Sequence, residues 1–264
     1  MVNASVERQI ALAAIAELRA PSATALIQPA DQARQAIAAV AGNKPRAYFA
    51  ENFLRTNDLE VQVVTRIAEP FIVVMQNILT AGECDELVRL SRLKVRRSTI
   101  VDPLSGEYRV IDDRSSQGTF FAVNENAFIA KLDRRISEVM NSPVENGEGL
   151  QILNYQVGGE YKPHFDYFPP DDPGSQPHLL SGGQRVSTLI IYLNDVEDGG
   201  ETIFPKVNLA VCPRKGSAVY FEYCNQSGLL DPMTLHGGSL VRQGEKWIAT
   251  KWMRQFPYEN RRNV

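Results

Sequence analysis

"LQILNYQVGGEYKPHFDYF", residues 150–168, holds two β-rich runs parted by Gly158 and Gly159. Apolar and aromatic residues concentrated in short runs between turn formers read as strands. The second run carries His164, one of only three histidines in 264 residues, two positions before Asp166. Residues i and i+2 of a strand project from the same face. His164 and Asp166 are therefore expected to project together, with Phe165 turned away.

Working outward, the same texture continues to the C-terminus. "RVSTLIIYL" (185–193), "ETIFP" (201–205), "SAVYFEY" (217–223) and "EKWIATKWMRQF" (245–256) are further strand patterns, separated by Gly, Pro, Asn and Asp. Upstream, "FIVVM" (71–75) is another β-rich run, followed by "TAGECDELVRLSRL" (80–93), where Thr80 and Glu83 have the spacing of a capping box. Residues 95–121 are polar and turn-rich, with Pro103 and Gly106, and predict two short strands around a long loop. "ENAFIAKLDRRISEVMN" (125–141) predicts a second amphipathic helix. Helices first and many antiparallel strands afterwards predict an α+β domain with a sandwich or barrel at its core.

Residues 1–70 differ from the rest. They are alanine-rich, Val6, Ile10, Ala14 and Leu18 recur at i+4 spacing, and "DQARQAIAAVAG" ends at Gly42, a C-cap residue. The expectation is an N-terminal helical extension over 1–70 and a main domain over 71–264. The extension has no histidine or cysteine; packing on the main domain, a homodimer contact and partner docking are its candidate uses.

A hydrophobic content of 44% and a charged content of 22% are ordinary for a globular chain able to bury a core. The net charge of −3 disfavours nucleic acid as the main partner. The densest apolar patch, "STLIIYL", is too short to span a membrane. Glu7, Arg8, Glu17 and Arg19 interrupt the N-terminal apolar stretch too soon for a secretory signal. Cys84, Cys212 and Cys224 are odd in number and form no C-x-x-C pair, which fits a reducing compartment. A cytoplasmic protein is expected.

An imidazole and a carboxylate side by side supply two metal ligands, and a third must come from elsewhere. His178 lies in "PPDDPGSQPHLLSGG", a run of turn residues and a poor rigid platform, so it reads as a surface or lid histidine. His236, in "DPMTLHGGSLV", leads into a strong strand pattern and is the better third ligand. Two histidines and one carboxylate on one face of a metal leave positions open, as in non-haem Fe(II) oxygenases. A zinc hydrolase can use similar ligands, and a plain hydrogen-bonded His–Asp pair needs no metal. Lys246, ten residues after His236, is a compact point charge suited to a substrate carboxylate, or an ordinary exposed strand lysine.

Four segments in order carry a resemblance: "LNYQVGGEYKPHFDYF", "GGQRVSTLIIYLNDVEDGGETIFP", "PRKGSAVYF" and "TLHGGSLVRQGEKWIATKWMR". Together with "EPFIVVMQNILTAGECDEL" and "RSSQGTFF", they resemble the catalytic domain of prolyl 4-hydroxylases, which are Fe(II)/2-oxoglutarate dioxygenases, from about Phe71 to Phe256. The resemblance implies a double-stranded β-helix, or jelly roll, with flanking helices. It implies His164, Asp166 and His236 as iron ligands and Lys246 as the partner of the 2-oxoglutarate C5 carboxylate, with Tyr155 and Thr202 bonding the same carboxylate. Tyr161, Arg185 and Trp252 match residues that line a peptide groove. Stretches 97–118 and 169–182 are then candidate lids.

The implied reaction is hydroxylation of an unactivated C–H bond, with O2 consumed, 2-oxoglutarate converted to succinate and CO2, and ascorbate as reductant. The expected substrate is a prolyl residue of a peptide or protein, with a free amino acid or small metabolite as the alternative and a non-catalytic metal-binding barrel a distant third. One position departs from the pattern: some family members carry histidine two residues after the groove tryptophan, where this chain has Arg254.

Overall fold

The structure, a computed structural model, describes Ala47, Phe49 and residues 51–225 and 228–258. The chain divides between Gly42 and Asn43 into two units, and every described residue belongs to the second. In chain order the elements are β1 (Phe53–Arg55), β2 (Glu60–Ile67), β3 (Ile72–Gln76), α1 (Ala81–Ser91), β4 (Arg96–Arg97), β5 (Ile100–Val101), β6 (Tyr108–Arg109), β7 (Gln117–Phe121) and α2 (Ala127–Met140). Then follow β8 (Leu150–Tyr155), β9 (Tyr161–His164), the single-turn α3 (Gln176–Leu179), β10 (Arg185–Tyr192), β11 (Asp198–Gly199), β12 (Thr202–Phe204) and β13 (Leu209–Val211). The last are β14 (Ala218–Glu222), β15 (His236–Gly238), β16 (Val241–Gln243) and β17 (Lys246–Arg254).

Nine strands form one antiparallel sheet in the order β1-β2-β3-β14-β10-β17-β8-β7-β4. Four more form a second antiparallel sheet, β13-β12-β15-β9. The architecture is α+β, built on a large antiparallel sheet.

The sequence signals explain much of this. Thr80 caps α1 as half of a capping box: its side chain accepts from Glu83 N, and Glu83 returns a bond to Thr80 N. Asn126 caps α2, and Asn141 ends it in the left-handed region at φ 44°. Ile129, Leu132, Ile136 and Val139 lie buried along one stripe of α2, the i, i+3, i+7, i+10 pattern of a helix laid against a core.

Arg135 on α2 reaches both Glu83 of α1, at 2.7 Å, and Asp58, at 2.6 Å. Burial pushes the Glu83 carboxyl up, but hydrogen bonds from Arg135 and Lys131 more than offset that and hold it at about 2.

The central strand β17 decides where the site goes. Its residues alternate between two faces. Lys246, Ile248, Thr250 and Trp252 face a cavity. On the opposite face Lys251 Nζ meets Asp133 of α2 at 2.8 Å, with both side chains fully buried. α2 therefore lies on one face of the large sheet, and the cavity opens on the other.

The expected boundary at residue 70 is corrected. Residues 53–55 and 60–67, assigned from sequence to the helical extension, are strands of the main sheet. "EVQV" at the start of β2 alternates in period two, with Val61 and Val63 buried and Glu60 and Gln62 exposed, a strand signal that the alanine-rich stretch before it overshadowed. The helices expected before residue 43 lie outside the described residues. No helix among the described residues is long and apolar enough to cross a membrane.

Candidate active site

His164 is the last residue of β9 and His236 the first of β15. The two strands are antiparallel, with these residues in direct register, so both side chains leave the same face of the small sheet. Their rings lie 4.5 Å apart between centroids. Each ring is fixed by its own chain: His164 Nδ1 lies 2.9 Å from Lys162 O, and His236 Nδ1 3.0 Å from Thr234 O. A carbonyl can only accept, so Nδ1 carries a proton on both rings and Nε2 is the nitrogen left to face a metal.

Asp166 sits just beyond the strand, in a bend. The expected i, i+2 geometry thus holds across a strand end rather than within a strand. Asp166 Oδ1 is 3.7 Å from His164 Nε2, and Oδ2 is 3.4 Å from His236 Nε2. One ligand atom from each of the three residues lies within 4.8 Å of the others. Burial pulls His164 below its ordinary value, which favours the neutral imidazole that a metal needs. For Asp166, burial raises the carboxyl, but the neighbouring His236 and His164 hold it well below the usual range. Two imidazole nitrogens and one carboxylate form a donor set suited to Fe(II) with open positions.

All nine residues singled out from the sequence line one cavity of about 620 Å³. Lys246 lies directly opposite Tyr155 in the β17–β8 pairing. It is 2% exposed, and Nζ has no acceptor within hydrogen-bond reach among the described residues. Its nearest ring neighbours are Tyr155, at 5.4 Å, and Tyr192, at 6.0 Å. Burial lowers the lysine to about 8, opposed only by distant Glu201. A buried cation without a partner is costly, and a ligand carboxylate is the group that would complete it. Thr202 Oγ1 accepts from Tyr192 Oη at 2.8 Å, which leaves its own proton free for such a carboxylate. The residues fit 2-oxoglutarate as well as the metal.

The other end of the cavity is aromatic and charged. Tyr161 stacks on His164 at 3.6 Å, and burial pushes its hydroxyl up to about 12. Arg185 packs its guanidinium 4.1 Å from the Trp252 ring and 4.8 Å from Phe168. Its fork is already engaged: Nε and Nη2 reach Glu148 at 2.6 and 2.8 Å, and Nη1 donates to Asp166 O at 3.3 Å. One N–H on each terminal nitrogen remains for a ligand.

Arg254 is not in the cavity wall. It is buried and donates through Nη2 to the carbonyls of His178 and Ser181. His178 lies away from the three candidate ligands: it stacks on Phe168 at 5.0 Å and meets Gly106 O at 3.0 Å. The two candidate lid stretches touch one another, with Gly174 N donating to Pro103 O at 2.8 Å.

Two residues of the wall escaped the sequence reading. Arg114 is buried, lies 4.8 Å above the Tyr161 ring and donates to Gln151 and to Thr99 O. It heads the "RSSQGTFF" segment, so its position in a recognised stretch was the available signal. Glu148, the partner of Arg185, lies between two glycines with no local pattern to mark it.

Comparison with known proteins agrees with this geometry. The model of the 2OG-Fe(II) oxygenase superfamily matches residues 150–254. Two Arabidopsis thaliana proteins are similar over most of the chain. Probable prolyl 4-hydroxylase 10 is 39% identical over 210 residues, 72% of this chain and 71% of the relative. Prolyl 4-hydroxylase 5 is 40% identical over 203 residues, 70% of this chain and 68% of the relative. Among solved structures, the 2OG complex of the viral collagen prolyl hydroxylase from Paramecium Bursaria Chlorella virus-1 is similar with a TM-score of 0.55 and 30% identity, covering 69% of this chain and 95% of that one. With the His–Asp–His cluster and Lys246 in one cavity, the chain belongs to the prolyl 4-hydroxylase family of the 2OG-Fe(II) oxygenase superfamily.

Proposed function

We propose that this protein hydroxylates prolyl residues at C4 within a peptide or protein chain. The protein is a 2-oxoglutarate-dependent dioxygenase of the prolyl 4-hydroxylase type, with Fe(II) held by His164, Asp166 and His236. When bound, the metal and 2-oxoglutarate together supply the oxidising chemistry: O2 is consumed, succinate and CO2 leave, and one oxygen atom becomes the substrate hydroxyl.

The protein's own residues orient and shield. Lys246, with Thr202 and Tyr155, receives the far carboxylate of 2-oxoglutarate. Tyr161, Arg185 and Trp252 form the wall against which the prolyl ring lies. The nine-stranded and four-stranded sheets that share the cavity are read as a double-stranded β-helix, with the metal in its mouth.

The cavity volume of about 620 Å³ carries the peptidyl reading. Pockets of that size take drug-sized ligands, which leaves room beside the co-substrate for more than one free amino acid. The docking of Gly174 on Pro103 and of His178 on Gly106, which narrows the approach, favours the second reading of a free amino acid or small metabolite. Succinate release decides between them, measured with Fe(II), 2-oxoglutarate and ascorbate against poly-proline peptides, free proline and a panel of free amino acids. Peptide-only turnover is expected. Turnover on free proline alone removes the peptidyl proposal.

A further inference from the structure

We propose that Thr188 and Tyr223 are positioning residues for the metal: a buried hydroxyl relay, Tyr223 Oη to Thr188 Oγ1 to Asp166 Oδ2, holds the carboxylate ligand in a single orientation. The inference rests on the reading of His164, Asp166 and His236 as the metal site.

The three ligands are held in different ways. Both histidines are oriented by backbone carbonyls of their own segments, Lys162 O and Thr234 O, which no substitution removes. Asp166 lies past the end of β9, outside the strand ladder. Among the described residues its backbone carbonyl receives only the 3.3 Å contact from Arg185. Its side chain is fixed by another side chain: Thr188 Oγ1 lies 2.7 Å from Asp166 Oδ2. Apart from the two histidine nitrogens, that hydroxyl is the side-chain group that sets the carboxylate's orientation among the described residues.

Proton counting gives the relay its direction. Thr188 Oγ1 also lies 3.1 Å from Tyr223 Oη. A threonine hydroxyl has one proton and two lone pairs, and an ionised carboxylate only accepts. The threonine proton therefore goes to Asp166, and the tyrosine proton goes to Thr188. Oδ1 accepts no hydrogen bond among the described residues, and His164 Nε2 lies 3.7 Å from it. It is left as the oxygen with both lone pairs available.

The local sequence marks Thr188 as a deliberate polar residue. It sits in the apolar run of β10, paired with Phe221 on one side and Trp252 on the other, and is 0% exposed. Valine would fill the same volume without the cost of burying a hydroxyl. Tyr223, just past β14, is likewise buried and places its only polar atom against Thr188. Neighbours that orient metal ligands are worth about 10–100-fold in metal affinity.

The test is Mn(II) affinity of the full chain, read from the free-Mn(II) EPR signal without 2-oxoglutarate, so that turnover plays no part. Thr188→Val is expected to weaken Mn(II) binding by roughly 10–100-fold, Tyr223→Phe by a smaller factor, and Thr188→Ser to keep wild-type affinity. Unchanged affinity in Thr188→Val, with Asp166→Ala losing Mn(II), overturns the relay and leaves the metal site standing. Full affinity in Asp166→Ala sinks the metal-site reading itself. Should circular dichroism show Thr188→Val unfolded, Tyr223→Phe decides: wild-type affinity there overturns the proposal.

Discussion

Two lysines on β17 are both buried, and the protein treats them in opposite ways. Lys251 points toward α2 and finds Asp133 at 2.8 Å, with both side chains 0% exposed. Asp133 is satisfied on its other oxygen by Asn124 N at 2.8 Å. Lys246 points into the cavity, is 2% exposed, and has two tyrosine rings but no carboxylate beside it. Burial lowers both lysines from their ordinary value, and only for Lys251 does an adjacent carboxylate oppose the shift. The helix-side face of the strand closes its electrostatics within the fold. The cavity-side face leaves a cation for a ligand to complete. Alternation along one strand is enough to separate the structural charge from the binding charge.

The largest effect expected from this contrast is on stability. Lys251→Met strands Asp133 as an unpaired buried charge, a loss of about 3–5 kcal/mol when one partner of a buried pair is removed. Lys246→Met removes a charge that has no partner in the ligand-free protein, so its stability is expected to stay level or rise. Urea unfolding of both variants without metal or co-substrate measures the difference. Equal losses in the two would erase the distinction between the faces.

Next in size is the effect on binding, where the roles reverse. In Mn(II)-loaded protein, Lys246→Met is expected to weaken 2-oxoglutarate binding by about 2–5 kcal/mol, the usual cost of truncating one side of a buried charge pair. Isothermal titration reads it directly. A wild-type dissociation constant in this variant removes Lys246 from the co-substrate site. Lys251, facing the other way, touches none of the cavity, and a conservative Lys251→Arg that still folds should bind 2-oxoglutarate normally.

Local pattern explains what was legible beforehand. The capping box at Thr80 and Glu83, the stripe of α2 and the apolar runs of β8, β10, β14 and β17 are periodic over a few residues, so the sequence displays them. The H-x-D spacing was equally local, although β9 ends at His164 and a bend, not a strand, delivers Asp166. The partners of these residues were not legible. Lys251 and Asp133 are 118 positions apart, Arg185 and Glu148 37, and Asp166 and Thr188 22. Pairing over such separations is set by sheet register and leaves no period to read. Arg254 is the sharpest example. In sequence it is a departure beside the groove tryptophan, whereas in the fold it lies behind the cavity wall, 5.0 Å from the Phe168 ring, and holds the carbonyls of His178 and Ser181.

The smallest expected effect is on pH dependence, and it isolates Lys246 without a mutation. Its folded value near 8 lies below the roughly 10.4 of an unfolded lysine. Below pH 8 the lysine is charged in both states, and the folded protein bears the full cost of burying it. Between about pH 8 and 10.4 the unfolded chain binds the extra proton, so this lysine's contribution to ligand-free stability rises with pH in that window. Binding has the opposite sign. A carboxylate at Lys246 needs the ammonium form, so above pH 8 the co-substrate must bring a proton in with it. The affinity of Mn(II)-loaded protein for 2-oxoglutarate is therefore expected to be level below pH 8 and to fall about tenfold per pH unit above it, or ~1.4 kcal/mol. Titrations at pH 9 in buffers of different ionisation enthalpy should show close to one proton taken up, and at pH 7 almost none. An affinity that stays level through pH 9 would mean that Lys246 keeps its proton without the ligand, and the cavity-side lysine would then resemble its partnered neighbour far more than the geometry allows.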